Sequence, residues 1–334
     1  MRILLIGLVC LTVACNNNSS KKSEYKATGS IHKLDDGLDA VIASGAKIEI
    51  IGEGFEWSEG PLWVEQHQML LFSDVPRDTV YKWTEDKGVE VYLTPSGYTD
   101  SIPRGGEMGS NGLVLDKEGR LVLCQHGNRQ MARMDAPLDK PEARYTALAN
   151  SFNEKRFNSP NDAVFNRAGE LYFTDPPYGF ESQSDQDPKK ELSWNGVYKV
   201  KTNGEVVLLV DSLSRPNGIA FTPDEKQIII ACSDPQKPNL YIYDIAGDSL
   251  INGRVFYSTA EEAAKKRGLP DGLKIDSRGF VFSSGPGGIW IFNQEAKVLG
   301  RIDLDEAVSN VALSADEKTL YVTNDMQILR VKLR

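Results

Sequence analysis

One pattern of apolar and polar positions occurs six times along the chain. In each copy a polar residue precedes an apolar run of about five residues, and a polar turn and a second apolar run follow. The copies lie roughly 40–55 residues apart, a period that is typical of radially repeated β folds. The copies begin at Glu59, Asn111, Asn161, Asn217, Asp271 and Asn310.

Each copy predicts a β-hairpin followed by weaker strands. The copy NGLVLDKEGRLVLC, which begins at Asn111, has Val- and Leu-rich runs on both sides of the turn DKEG. Further apolar runs follow several of the hairpins, at residues 196–202, 239–245 and 288–293. Four antiparallel strands in each of six units predict an all-β fold, the six-bladed β-propeller.

The two ends of the chain are expected to close this ring. Residues 311–334 leave room for only three strands of the last blade. Residues 46–54, with the sequence AKIEIIGEG, form an apolar run that has no hairpin partner of its own. We expect this N-terminal strand to complete the last blade, so that the propeller spans residues 46–334 and has no open sheet edge.

The first residues predict export from the cytoplasm. Residues 1–15 have a basic start, an apolar run too short to span a bilayer and a small residue before Cys15. Ala14-Cys15 resembles a bacterial lipobox, although Thr12 stands where that pattern prefers Leu. We therefore expect cleavage before Cys15, lipidation of Cys15, and a tether and N-terminal extension over residues 16–45. The expected product is a membrane-anchored lipoprotein of the periplasm or cell envelope, with simple secretion as the alternative.

Charge and cysteine usage narrow the expected partners. The net charge of −9 gives no basic patch for nucleic acid or anionic lipid, so membrane contact is expected only through the anchor.

Cys124 and Cys232 each lie inside an apolar strand of a different repeat. We expect both to be buried strand residues that form neither a disulfide nor a metal pair.

The polar residues that head the six copies are candidates for a metal site. Six inner strands bring their heads around one axis, where two carboxylates and several amide oxygens would repel one another or stay unsatisfied. Calcium is the natural partner, since it takes about six to eight oxygen ligands. Softer metals are disfavoured because no His or Cys heads a copy, although Zn²⁺, Mn²⁺ and Mg²⁺ stay open. The alternative is that each Asn-Gly or Asp-Gly pair only forms a turn.

Several phrases carry a resemblance to a known family over about residues 50–334. They look like motifs of the SMP-30/gluconolactonase/luciferin-regenerating-enzyme family, whose bacterial gluconolactonases carry a phrase similar to CQHGNR. The phrases are SEGPLW at 58–63, CQHGNR at 124–129, RFNSPNDAVF at 156–165, TDPPYG at 174–179, RPNGIAF at 215–221 and LPDGLKID at 269–276.

The resemblance implies a six-bladed propeller with a divalent metal, usually calcium, in its central channel. Matching the motifs residue by residue implies metal binding by Glu59, Asn161, Asn217 and Asp271. These are four of the six heads derived above from the repeats alone. The other two heads, Asn111 and Asn310, are expected to support the ligands or the fold.

The resemblance also implies lactone hydrolysis. A metal-polarised lactone carbonyl is open to attack by water. We hypothesise that Asp271 is the general base, with Asp162 as the competing candidate. Rim loops supply the candidate substrate-binding residues. Some family members have an Arg in place of Ser159, so the substrate contacts do not transfer directly. The candidates are His126, Arg129, Tyr178 and Arg156.

The predicted function is therefore a metal-dependent hydrolase that opens a sugar lactone such as gluconolactone. The chain lacks the GxSxG, HExxH and Walker motifs of other catalytic classes. Two alternatives stay open, which are hydrolysis of other lactones, esters or phosphotriesters, and a non-catalytic propeller that binds sugar or calcium. The expected partner is a small-molecule lactone, and the expected assembly is a monomer or dimer.

Overall fold

A computed structural model describes residues 25–334, and these residues form a six-bladed β-propeller. Each blade is an antiparallel sheet, and in blades 1 to 5 its four main strands follow one another in chain order from the axis outward. The innermost strand of each blade contacts that of the next blade, and the last contacts the first. The predicted fold class is confirmed.

The repeats predicted from the sequence form the inner pair of strands in every blade. Blade 1 contains Ser58–Val64, Met69–Asp74, Thr79–Thr84 and Gly88–Leu93; blade 2 contains Ser110–Leu115, Leu121–Gln125, Gln130–Met134 and Tyr145–Ala149. Blade 3 contains Ala163–Phe165, Leu171–Asp175, Gly196–Val200 and Val206–Val210; blade 4 contains Pro216–Phe221, Gln227–Cys232, Asn239–Ala246 and Ser249–Ser258. Blade 5 contains Leu273–Ile275, Val281–Gly285, Gly288–Phe292 and Val298–Asp303; blade 6 contains Asn310–Leu313, Thr319–Asn324, Gln327–Lys332 and Ile48–Glu53.

The N-terminal strand closes the ring as expected. Ile48–Glu53 pairs antiparallel with the last strand of the chain, Gln327–Lys332, with Ile50 opposite Leu329. Two shorter strands extend the closure, because Ala27–Thr28 pairs with the outer edge of blade 6 and Ser30–Lys33 with that of blade 5. Residues 27–33 of the expected extension are therefore part of the sheets.

A few short elements complete the described chain. Asp36–Ala40 and Glu65–His67 are 3-10 helices, Ala260–Ala263 is an α-helix, and Ser151–Phe152 pairs with Lys155–Arg156. No helix within residues 25–334 has both the length and the apolar character needed to cross a membrane. The predicted signal segment 1–15, lipidation of Cys15 and residues 16–24 of the tether lie outside the described residues and stay predictions.

Apolar side chains fill the space between neighbouring blades. Leu71 of blade 1 and Leu123 of blade 2 belong to one buried cluster, and Cys124 of blade 2 packs with Phe173 of blade 3. Burial of this kind stabilises by about 25 cal/mol per Å² of apolar surface. Cys124 and Cys232 are both buried and unbridged, which confirms the expectation from their apolar surroundings.

Candidate active site

Close packing around the axis explains why most heads are followed by glycine. A Cβ on Gly60, Gly112, Gly218 or Gly272 would lie 2.0–2.6 Å from an atom of the head residue in the next blade. The space is filled by hydrogen bonds between blades, such as the one that the Gly112 N–H donates to the Asn161 carbonyl at 2.7 Å. The glycines therefore serve the inner ring and do not form hairpin turns.

Five of the six heads, all except Asn310, line a cavity of about 400 Å³ at one end of the central channel. This volume lies within the range of small-molecule sites. A larger cavity of about 580 Å³, walled mainly by apolar side chains such as Trp63 and Phe221, opens on the hairpin-turn side and touches none of the heads. We take the smaller cavity as the candidate site because its wall carries the polar head residues. Its wall includes Glu59, Asn111, Asn161, Asn217, Asp271 and Tyr178.

Two carboxyl groups line this cavity, of which Glu59 is buried and Asp271 is half-buried. Glu59 is 2% exposed and accepts a hydrogen bond from the Gly60 N–H at 3.0 Å. Burial raises the pKa of Glu59 to about 8, and the nearby charges of Asp162 and Glu107 add to the shift. Burial, followed by the charge of Glu59, also raises the pKa of Asp271 well above its ordinary value. Asp271 Oδ1 is buried without a hydrogen-bond partner.

Amide oxygens complete the donor set. Ser233 Oγ donates to the Pro270 carbonyl at 2.8 Å, so it accepts from Asn217 Nδ2 at 2.9 Å. This hydrogen bond fixes the amide of Asn217 and leaves its Oδ1 available to a ligand. Asn111 Oδ1 is buried without a partner on the same cavity wall. The structure therefore adds Asn111 to the possible donors.

This donor set fits a hard divalent cation. Buried carboxylates and unpartnered amide oxygens on one wall are costly unless a cation or protons neutralise them. Among residues 25–334, no three His, Cys, Asp or Glu side chains come together in a way that could hold a metal ion. A cation at this wall would therefore depend on amide oxygens beside Glu59 and Asp271, as calcium sites do.

Asp162 lies outside the cavity wall, in a separate charged network. It occupies the position that is glycine after most other heads, and its Oδ1 accepts from the Ala163 N–H at 2.9 Å. Its Oδ2 accepts from Asn310 Nδ2 at 3.2 Å and lies 3.6 Å from Lys274 Nζ. Both oxygens of Asp162 are thus engaged by partners within the protein.

The four predicted substrate-binding residues lie in different surroundings. Tyr178 lines the cavity, and burial raises the pKa of its phenol, which stays a neutral donor. His126 is 0% exposed and lies behind the wall, and burial lowers its pKa to about 3, so the imidazole is neutral. Within residues 25–334, neither ring nitrogen of His126 has a side-chain hydrogen bond.

Arg129 and Arg156 hold loops together beside the cavity. Arg129 Nε donates to the Phe157 carbonyl at 2.6 Å, and its guanidinium pairs with Glu191 at 3.1 Å. Arg156 Nη2 donates to the Asn128 carbonyl at 2.9 Å. Neither arginine is on the cavity wall, so substrate binding by them, as by His126, stays a prediction.

Comparisons with known proteins place the chain in a family. A family profile described as the SMP-30/Gluconolactonase/LRE-like region matches residues 57–325. The chain belongs to this family.

The relatives found in these comparisons align with most of the chain. A gluconolactonase from Zymomonas mobilis is 36% identical over 97% of this chain and 92% of its own length. A pentonolactonase from Haloferax volcanii is 25% identical over 79% of this chain and 80% of its own length. The solved structure of a gluconolactonase from Xanthomonas campestris is 28% identical and matches with a TM-score of 0.80, covering 92% of this chain and 98% of that chain.

Other members of the cavity wall were not found from the sequence. They come from loops between blades or between strands of one blade, which carry no repeat pattern to place them. A weak signal existed for Glu107, since it lies in the glycine-rich stretch GGEMG shortly before the head Asn111. These additional wall residues include Trp57, Glu107, Gln183, Ser233 and Arg267.

Proposed function

We propose that this member of the SMP-30/gluconolactonase family is a divalent-metal-dependent hydrolase of sugar lactones, with calcium as the metal. The observation that carries the proposal is the convergence of Glu59, Asp271 and three head amides on one cavity. Relatives named gluconolactonase and pentonolactonase support the substrate class. The all-oxygen donor set supports calcium over softer metals.

Glu59, Asn161, Asn217 and Asp271 would hold the cation, with Asn111 as a further donor. A bound divalent cation supplies Lewis-acid polarisation of the lactone carbonyl and lowers the pKa of water. Ser233 orients the amide of Asn217, and the Ser284 hydroxyl accepts from the Asp271 backbone N–H at 2.8 Å. These neighbours keep the donors in place before substrate binds.

Asp271 is the better placed of the two candidate bases. Its carboxyl lines the cavity, and among residues 25–334 its Oδ1 has no hydrogen-bond partner. A carboxylate in this position can accept a proton from a water molecule held in the cavity. Asp162 is instead bound by Asn310 and lies beside Lys274, away from the cavity wall.

Titration of the acid released from glucono-1,5-lactone tests the proposal. With calcium, wild-type protein should accelerate ring opening above the spontaneous rate, and a chelator should abolish the acceleration. Asp271→Asn should lower kcat by about a hundredfold or more. The matched control is Asp305→Asn, which removes the charge of an exposed aspartate that is not on the cavity wall and should retain the wild-type rate.

The outcomes separate the open alternatives. Turnover of phosphotriesters or simple esters but of no sugar lactone would favour a different hydrolase on the same scaffold. Calcium binding without hydrolysis of any of these substrates would favour a binding protein. Full lactonase activity of Asp271→Asn with calcium still bound would exclude Asp271 as the base.

A further inference from the structure

A third carboxylate, Glu107, lines the cavity beside the two candidate metal-binding carboxylates. It comes from the loop of residues 94–109, which leads from blade 1 into blade 2. Gln183, from the loop of residues 176–195 in blade 3, donates from Nε2 to Glu107 Oε1 at 3.0 Å. Two loops from different blades thus meet at the Glu107 carboxylate, whose side chain keeps 20% of its surface exposed.

In the described part of the chain, the other oxygen of Glu107, Oε2, has no hydrogen-bond partner. His126 Nδ1 lies 3.7 Å from Oε2, which is too far for a hydrogen bond. The fully buried His126 lies behind Glu107 and is not on the cavity wall. Oε2 is thus an acceptor on the cavity side of the loop, and a ligand hydroxyl can donate a hydrogen bond to it.

The charge balance of the site favours a neutral, hydroxyl-bearing ligand at this position. A divalent cation would neutralise Glu59 and Asp271, and it would leave the negative charge of Glu107 in excess. The guanidinium of Arg267 also lies on the wall, but it is paired with Glu306 and with Asp325, the latter at 3.0 Å. Hydroxyl donors suit an unpaired carboxylate, whereas anionic groups are repelled by it.

We propose that Glu107, held by Gln183 and backed by His126, accepts a hydrogen bond from a substrate hydroxyl and selects polyhydroxylated lactones over unsubstituted ones. This inference rests on the proposed function and assigns a specificity-determining residue to it. A site built to bind a hydroxyl group discriminates strongly against ligands that lack it, because its own polar group is then left unpaired.

Glu107→Gln tests this role. Since Gln183 donates to the Oε1 position, the new amide oxygen stays there and the amide nitrogen faces the cavity, which replaces an acceptor by a donor. We expect kcat/KM on glucono-1,5-lactone to fall by about tenfold or more, mainly through KM. On δ-valerolactone, which has no hydroxyl groups, the fall should be less than about threefold. The ratio of kcat/KM on glucono-1,5-lactone to kcat/KM on δ-valerolactone measures the selection for hydroxyl groups.

Glu181→Gln is the matched control. It makes the same substitution at an exposed residue of the Gln183 loop, where Glu181 pairs with Lys189 and is not on the cavity wall. The control should keep the wild-type ratio. A Glu107→Gln variant that also keeps the wild-type ratio would overturn the inference, and so would an equal loss on both lactones.

A binding measurement separates this inference from the proposed function. The probe is 1,5-anhydro-D-glucitol, a ring ether that carries hydroxyl groups but no carbonyl, titrated calorimetrically into the calcium-loaded protein. Binding to Glu107→Gln about tenfold weaker than to wild type supports hydroxyl recognition even if no lactone is hydrolysed. Equal binding to both proteins, or none to wild type, would contradict it whatever the catalytic result.

Discussion

At the scale of single residues, Asp271 and Asp162 differ by one position within the repeat, and this difference gives them different surroundings. Asp271 heads its repeat and lines the cavity with an unpartnered oxygen. Asp162 follows the head Asn161 and lies in the ring, where Asn310 and Lys274 engage it. The same side chain is therefore placed for chemistry in one repeat and for packing and charge balance in the other.

The raised pKa values of Glu59 and Asp271 predict proton release on metal binding. Burial raises the pKa of Glu59 to about 8 and shifts that of Asp271 in the same direction, so the metal-free protein holds protons at neutral pH. Calcium must displace them, and its apparent affinity should therefore rise as the pH increases from 5 to about 8. Calorimetric titrations at pH 7 in two buffers of different ionisation enthalpy measure the protons released.

The same shifts predict how the metal-free protein responds to pH. Because the pKa of these acids is higher in the folded than in the unfolded state, the folded state binds more protons between their ordinary pKa and about 8. The free energy of unfolding should fall across this window as the pH rises. Urea unfolding at several pH values checks the sign, and stability that rises across the window without metal would contradict the raised values.

At the scale of the element, the first strand of each blade does two jobs. In five blades its head lines the cavity, and in four blades a glycine after the head allows the next blade to approach. The phrase Asn-Gly is therefore informative, but its usual interpretation as a hairpin turn is wrong here, since the turn lies at the far end of the strand. Because the fit is tight, replacing this glycine by a larger residue should lower the free energy of unfolding.

Gly218→Ala tests the packing of the inner ring. The new Cβ would lie 2.3 Å from the Asp271 carbonyl oxygen, where the neighbouring backbone must move. We expect the free energy of unfolding to fall by about 1–3 kcal/mol, the usual cost of overpacking, as measured by urea unfolding of the metal-free protein.

Gly105→Ala is the matched control for this substitution. A Cβ on Gly105 would meet no atom within 4 Å, and the residue lies in an exposed loop. Its unfolding free energy should stay within about 0.5 kcal/mol of wild type. A Gly218→Ala variant as stable as this control would show that the ring is looser than the distances indicate.

At the scale of the whole molecule, the two chain ends meet in one blade. Ile48–Glu53 covers the edge of Gln327–Lys332 that would otherwise be open, and its Ile48 and Ile50 belong to the buried core. The short strand Ser30–Lys33 adds only a mostly exposed outer edge to blade 5. Closure thus depends mainly on the strand predicted from the sequence.

Two truncations distinguish these contributions. Removal of residues 1–54 should leave blade 6 with three strands, so we expect aggregation or loss of the cooperative thermal transition. Removal of residues 1–33 should keep a folded monodisperse protein whose unfolding midpoint falls by no more than about 5 °C. Gel filtration and circular dichroism measure both. A well-folded product of the longer truncation would show that closure does not hold the ring.

The repeat pattern alone is enough to predict the propeller, its closure and the heads of the inner strands. These features repeat at a fixed period, and alternating apolar runs with turn residues specify strands locally. The sequence also predicts the candidate metal ligands Glu59, Asn161, Asn217 and Asp271, because each stands at the same place in its repeat. The structure brings all four to one cavity wall.

The surroundings of those heads depend on how the blades pack against one another. Glu107, Gln183 and Ser233 lie in loops between strands, and their side chains reach the cavity from three different blades. Asp162 and Lys274 are likewise far apart in the chain and become neighbours only in the closed ring. Loop conformation and contacts between distant residues depend on how the blades pack, and no local pattern in a single sequence encodes that packing.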